Sequence, residues 1–314
     1  MAVYTSVNKN ELSKFFENYE LGSLISYEGI VEGIENTNFK INTDKGSYIL
    51  TIFEKRVNRE DVPFFMNLQK HLSKAGFACP LPIENKNKKI INTLCNKTAI
   101  IISFIEGEKV SDIKPVHCFQ VGEMISNFQK ITKNFTEKRN NGLNINNWKS
   151  IFSKCIEINE HRYIDLISPI QNELEYLENY WPSNLPRGII HGDIFQDNVF
   201  FIKNKLSGLI DFYFSCYDYY AYELALTTNA WCFDIKNNFI NENFESLLDG
   251  YLKFSKINSN EKEHFNTLLR GAAMRILVTR LHDQLFHPDG AIVIPKNPLQ
   301  YFEILKWHQN NKII

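Results

Sequence analysis

The sequence has no Cys-x-x-Cys pair, no long apolar run and almost no net charge, and each absence excludes a class of protein. Its six cysteines, Cys79, Cys95, Cys118, Cys155, Cys216 and Cys232, are scattered through apolar or helical stretches. That pattern predicts buried, reduced thiols in a cytoplasmic protein, and neither a disulfide framework nor a metal site. The longest apolar runs, such as Ala99–Ile102, are far too short to cross a bilayer, so no membrane partner is expected. The opening residues pass into polar Asn8–Glu11 without an apolar core segment, so no signal peptide is expected. With 35 Lys and Arg against 36 Asp and Glu, the formal net charge is −1, which gives no global basic field for nucleic acid. Anionic phosphates remain open as ligands, because they need only local charge. There is no internal repeat and no low-complexity linker.

What is present is an ordinary globular composition. Hydrophobic residues make up 44% and charged residues 23%, which excludes a disordered chain. At 314 residues the chain is too long for one small core and fits one bilobal unit or two domains.

The first third reads as strands with one helix. Ser47–Phe53 is β-rich and follows the turn Thr43–Gly46, a hairpin signal. Arg59–Ala75 carries Phe64, Phe65, Leu68 and Leu72 at helical spacing and is closed by Gly76. Ile90–Ile91 and Thr98–Phe104, separated by polar Asn92–Lys97, are the next expected strands. After Ile105–Gly107 the pattern turns helical, with one stripe at Val121, Met124, Ile125 and Phe128 and another at Ile170, Leu174 and Leu177. Gly188–Ile190, Val199–Ile202 and Leu206–Ile210 return to strand, the last two as a hairpin. Helical spacing resumes at Tyr222–Trp231 and Leu268–Leu285. The expected fold is α+β: a protein-kinase-like, bilobal arrangement with a small antiparallel-sheet N-lobe in residues 1–105, a hinge at its end, and a mostly helical C-lobe in 106–314.

The chemistry is concentrated in His191-Gly-Asp-Ile-Phe-Gln-Asp-Asn198 and in Leu209-Ile-Asp211. Phosphoryl transfer asks a protein for an oriented hydroxyl nucleophile, metal ions on the phosphates and fixed geometry. Asp193, on a short loop, is placed to orient the hydroxyl. Asn198, where the loop meets the next strand, offers a neutral oxygen to Mg²⁺, and Asp211, ending the returning strand, offers an anionic one. A lone H-x-D is usually an ordinary turn and a lone Asp after an apolar run a strand end, but their conjunction on a hairpin points to ATP and Mg²⁺. The other histidines have no partner motif and read as surface or satisfied core residues.

Upstream, Tyr27–Ile41 resembles a phosphate-covering hairpin, with Gly33 allowing close approach and Asn36 and Asn38 offering polar groups to the nucleotide. Ile101–Gly107 has the position and apolarity of an adenine-binding segment, which nominates Ser103, Phe104 and Ile105; a plain core strand would look similar.

With these residues in view, the chain resembles the aminoglycoside-phosphotransferase-like kinases over nearly its whole length. Within that superfamily it is most similar to the bacterial homoserine kinases of type II. The catalytic loop carries only the superfamily. The finer resemblance rests on Ala2–Thr5, Gly29–Asn36, Tyr48–Val57, Leu206–Phe214, Asn229–Phe233, Arg270–Arg275 and Thr279–Leu281. One departure stands out. Such kinases commonly place a Lys in the third strand and a Glu on the following helix, whereas here Thr51 and Phe64 or Phe65 fill those positions. Losing both charges together is coherent, since either buried alone would be costly. Lys55 or Arg56 is then the candidate cation for the phosphates, with solvation of both as the plainer alternative.

The resemblance implies ATP-dependent phosphorylation of the L-homoserine hydroxyl, a step of threonine biosynthesis. The residues alone support a small-molecule hydroxyl kinase, and leave choline, methylthioribose or an aminoglycoside open as acceptor. A catalytically dead nucleotide-binding protein is the rival of a different kind, suggested by Thr51 and opposed by the intact Asp193. Homoserine would need an anion and a cation near Asp193. Asp218 and Glu223 are candidates for its ammonium, although Glu223 opens a helix and could instead brace the catalytic loop. Arg275 is the candidate for its carboxylate. Arg280 lies about 140° further round the helix and is expected to pair with Asp283.

Overall fold

The computed structural model describes residues 5–30, 36–54, 57–158, 160–287 and 295–314. The chain divides into two compact units: Met1–Gly107 with Ser207–Tyr213 and Asp289–Ile294, and Glu108–Leu206 with Phe214–Pro288 and Pro295–Ile314.

The first unit begins with helix α1 (Lys9–Phe16), which the sequence pattern did not predict. Its signal is the reciprocal cap at its start, where Asn8 Oδ1 accepts the Glu11 N–H and the Glu11 carboxylate accepts that of Asn8. Strands β1 (Leu24–Ile30), β2 (Thr37–Thr43) and β3 (Gly46–Ile52), helix α2 (Val62–Lys74), and strands β4 (Asn92–Leu94) and β5 (Lys97–Ser103) follow. The strands form an antiparallel sheet in the order β1-β2-β3-β5-β4. Side chains alternate between its two faces. Phe39, Ile41, Leu50, Ile52, Ala99 and Ile101 share a core cluster with Leu12, Phe15 and Phe16 of α1. Asn38, Lys40 and Thr51 belong to the other face. Tyr213 packs its ring 5.6 Å from Phe65 of α2 and 5.3 Å from Phe53.

The fourth strand lies at Asn92–Leu94 rather than Ile90–Ile91. It turns directly into β5 through Cys95 and Asn96, both with positive φ, at 50° and 59°. Two such residues are what a tight two-residue hairpin requires, so the polar stretch read as a connection is the hairpin itself. Cys95 at that turn is half-buried, while the other five cysteines are buried, and all six are free thiols.

The second unit is mostly helical: α3 (Pro115–Thr132), α4 (Ile145–Glu157), α5 (Ile164–Tyr180), α6 (Tyr220–Trp231), α7 (Asn241–Leu252), α8 (Ser259–Leu285) and α9 (Leu299–Asn310). Strand β6 (Arg187–Ile190) pairs antiparallel with β9 (Cys216–Tyr219); β7 (Val199–Ile202) is followed by β8 (Lys205–Leu209), whose residues from Ser207 on are counted with the first unit. The sequence reading missed α4, α7, α9 and β9. Helix α8 is the buried axis. Arg270 makes a two-pronged pair with Glu173 of α5 at 2.7 and 2.6 Å. Asn229 of α6 donates to Leu269 O at 2.9 Å, and its Oδ1 lies 2.7 Å from His308 Nε2 of α9. Burial lowers the His308 pKa to about 3, so this lock works with a neutral imidazole. Among the described residues no helix is long and apolar enough to cross a membrane.

Candidate active site

Strand β6 delivers the chain into the loop at His191–Asn198. Gly192 turns it with φ +78°, and a Cβ there would stand 2.9 Å from Phe214 O, so glycine is required twice over. The loop then folds on itself. Phe195 N donates to Asp193 O at 2.9 Å, and Asn198 Nδ2 donates to both Asp193 O and Asp193 Oδ2 at 2.9 Å. With its nitrogen spent on Asp193, the Asn198 amide turns Oδ1 the other way.

Two helices of the same unit hold this loop from behind. On α6, the Trp231 indole donates to Ile194 O at 2.8 Å, and Ala230 O accepts from Gln196. The Glu223 carboxylate, fully buried, accepts the backbone N–H groups of His191 and Gly192, the latter at 3.0 Å. On α8, Arg275 Nη1 donates to Gly192 O at 2.7 Å, with its guanidinium 5.5 Å from the Phe214 ring centre. The two expectations for the acceptor site are corrected accordingly. Glu223, 0% exposed, spends its oxygens on loop amides and braces the loop from inside the protein. Arg275, 3% exposed, is a prop for the loop rather than a hand toward solvent.

Electrostatics follow from this burial. Loss of solvent raises the Asp193 pKa, against Arg275, Lys296 and the Asn198 hydrogen bond, which lower it. The same cause pushes Glu223 up to about 7, opposed by the His191 and Gly192 amides and by Arg275. Asp218, in β9, is half-buried; burial raises its pKa, while Asn141, which donates to Oδ2 at 2.6 Å, holds it down. Asp197 moves the other way. Burial would raise it, but Lys296 at 2.8 Å and Lys109 at 3.7 Å pull it below its usual value. Lys296 and Asn141 carry no motif and were not found from the sequence.

The remaining candidates belong to the first unit. Asp211 ends the returning strand with φ +64°, a left-handed conformation that costs a non-glycine residue of order 1 kcal/mol. Its segment is tied in by Leu209 N to Ala78 O at 2.9 Å and Ser207 Oγ to Glu106 O at 2.6 Å. Gly208 fits because a Cβ would come within 2.6 Å of Ile105. Asn38 Oδ1 accepts from Thr51 Oγ1 at 2.7 Å, and Asn36 Oδ1 accepts the Glu54 N–H at 3.3 Å. The Ser103 hydroxyl accepts the Leu81 N–H at 2.8 Å, and Lys40 Nζ sits 4.5 Å over the Phe104 ring. A half-buried cation is present in this unit, though not in the third strand: Lys97 pairs with Glu54 and donates to Thr5 Oγ1 at 2.7 Å. Gly33, Lys55 and Arg56 lie outside the described residues.

An antiparallel sheet with one long helix, followed by a helical unit whose braced loop presents a carboxylate and a carboxamide, defines a protein-kinase-like phosphotransferase. The model of the phosphotransferase enzyme family matches residues 26–256. Homoserine kinases of Rhizobium meliloti (strain 1021) and Methylorubrum populi are 41% and 43% identical over 309 residues, covering 98% of this chain and 95% and 96% of theirs. The chain therefore belongs to the phosphotransferase enzyme family and, within it, to the homoserine kinases. Solved structures share the fold at low identity. An amicoumacin kinase in complex with AMP-PNP, Ca²⁺ and its ligand superposes with a TM-score of 0.70 at 13% identity, covering 97% of this chain and 92% of that one. A choline kinase from Cryptosporidium parvum gives 0.69 at 13%, covering 96% of this chain and 96% of that one.

Proposed function

We propose that this protein transfers the γ-phosphoryl group of ATP to the side-chain hydroxyl of L-homoserine, giving O-phospho-L-homoserine and ADP. Near full-length similarity to homoserine kinases supports the acceptor. The observation that carries the chemistry is the Asp193 carboxylate, clasped by Asn198 on a loop that Glu223 and Arg275 brace.

Asp193 orients the acceptor hydroxyl and takes its proton as the oxygen bonds to the γ-phosphorus. The bond from that phosphorus to the β,γ-bridging oxygen breaks, and its electron pair leaves with ADP. A carboxyl held above its usual pKa by burial is a better proton acceptor than a solvated one. Residues 1–105 are assigned to the nucleotide, through Gly33, Asn36, Asn38, Lys55 and the segment Ser103–Ile105. Residues 106–314 are assigned to catalysis and the acceptor, with Asp218 and its partner Asn141 on the ammonium side.

Mg²⁺ is assigned to Asn198 Oδ1 and the Asp211 carboxylate. Among the described residues no three His, Cys, Asp or Glu side chains form a metal cluster. Mg²⁺ commonly takes one or two protein oxygens and completes its shell with substrate phosphates and water. When bound, the ion would neutralise the phosphate oxygens and fix their geometry. The setting is taken to be the cytoplasm, consistent with six free thiols. An ADP-release assay with homoserine tests the reading; absence of homoserine-dependent ADP release contradicts it.

A further inference from the structure

An amino-acid acceptor brings a carboxylate as well as an ammonium, and the second unit must answer it with a cation near Asp193. Apart from Lys109, paired with Asp197 at 3.7 Å, three cations among the described residues act on the carboxylates of the loop. Arg275 is buried and spends Nη1 on Gly192 O, and its charge lowers the pKa of Asp193, Asp218 and Glu223. Its work is inside the protein. Lys296 is paired with Asp197 at 2.8 Å.

Arg280 differs from both. It is half-buried on α8, with its guanidinium 4.5 Å from the Tyr301 ring centre. Nη1 donates to Asn297 O at 3.2 Å and to Gln300 Oε1 at 2.8 Å. Both bonds fall on the same nitrogen. Among the described residues no acceptor meets Nε or Nη2, and these two N–H groups form the edge that takes a carboxylate side-on with two parallel hydrogen bonds. A guanidinium fixed by a ring face and two acceptors has already lost its rotamer freedom, so a ligand need not order it. Tyr301 in turn packs its ring 6.4 Å from that of Phe195, two residues from Asp193, which places Arg280 beside the loop that carries the hydroxyl-orienting carboxylate.

Resting on the homoserine reading above, we propose that Arg280, through its Nε–Nη2 edge, grips the carboxylate of the amino-acid acceptor and so determines specificity for an amino acid over an amino alcohol.

The test compares homoserine with 3-aminopropan-1-ol, which keeps the hydroxyl, the chain and the ammonium but lacks the carboxylate. Wild type should prefer homoserine in kcat/KM. Arg280→Met should cut that preference on the order of 10²-fold, the usual effect of truncating one member of a hydrogen-bonded charge pair. The loss should fall mainly on the homoserine KM, with the ATP KM unmoved. Arg280→Lys, which keeps the charge and is the safer variant for folding, should recover only part of the preference. Arg275→Met should instead lower kcat for both acceptors alike. If Arg280→Met or Arg280→Lys keeps the wild-type preference, or loses both acceptors equally, the assignment is overturned. A wild type inactive on homoserine overturns the functional reading and this one together. A wild type active on homoserine whose preference survives the substitution overturns only the role of Arg280.

Discussion

Asn198 holds Asp193 at two points, its Nδ2 lying 2.9 Å from the backbone oxygen and 2.9 Å from Oδ2 of the same residue. One carboxylate oxygen is thereby fixed by the protein while the residue stays half-buried and open to a substrate. Asp193→Asn can rotate its amide to keep an oxygen toward Asn198, so the loop should survive. Turnover should not, falling on the order of 10²-fold or more as the proton acceptor is lost. ATP affinity by calorimetry should change little, because Asp193 acts on the transition state. A variant with most of the wild-type kcat would remove Asp193 from the mechanism.

Asp211→Ala should weaken ATP binding only when magnesium is present, since the variant loses an anionic oxygen that the phosphates do not replace. Titrations with Mg²⁺ and with EDTA separate the two contributions. An unchanged Mg²⁺ dependence contradicts the assignment of Asp211.

Glu223 gives a prediction with a definite sign. Its folded-state pKa, about 7, lies above the usual carboxyl value of 4.5, because burial disfavours its charge more than the loop amides and Arg275 favour it, with Asp193 adding repulsion. The native state therefore binds the extra proton, and its stability falls as pH rises from 4.5 through 7. Relative to Glu223→Gln, which cannot titrate, wild type should lose roughly 2 kcal/mol between about pH 5.5 and about pH 8.5 in urea denaturation. Parallel stability curves for the two proteins would show that Glu223 stays ionised throughout.

The third strand shows how much of the first unit was legible. The missing Lys–Glu pair could be read directly from Thr51 and Phe64–Phe65, but not what takes its place. Thr51, 1% exposed, donates to Asn38, while an ion pair, Lys97 with Glu54, sits where β3 ends and β5 begins. No motif announces that pair, because only the strand register brings the two residues together. Restoring the lysine should thus do harm. Thr51→Lys places a charge where a hydroxyl was satisfied, and should cost roughly 2 kcal/mol or more of stability without raising kcat. A stable, faster Thr51→Lys enzyme would contradict this account of the strand.

In the helical unit the catalytic loop was visible in the sequence because its spacing is dictated by chemistry. Helices α4, α7 and α9 were not, since polar residues interrupt their apolar stripes; Asn243 and His308 are buried polar residues whose Nδ2 and Nε2 meet tertiary partners. Arg275 and Arg280 could be named as alternatives from their spacing on α8. Choosing between them needed Gly192, Asn297 and Gln300, which only the fold brings to them.

Phosphorylation of homoserine can be tested in a single assay. Purified protein with Mg-ATP is offered homoserine, choline and methylthioribose separately. ADP release is followed, and the phosphorylated product is identified by ³¹P NMR. The account predicts kcat/KM for homoserine at least about 10²-fold above either competitor, with O-phosphohomoserine as the product. Faster turnover of choline or methylthioribose, or ADP release that does not depend on homoserine, would contradict it.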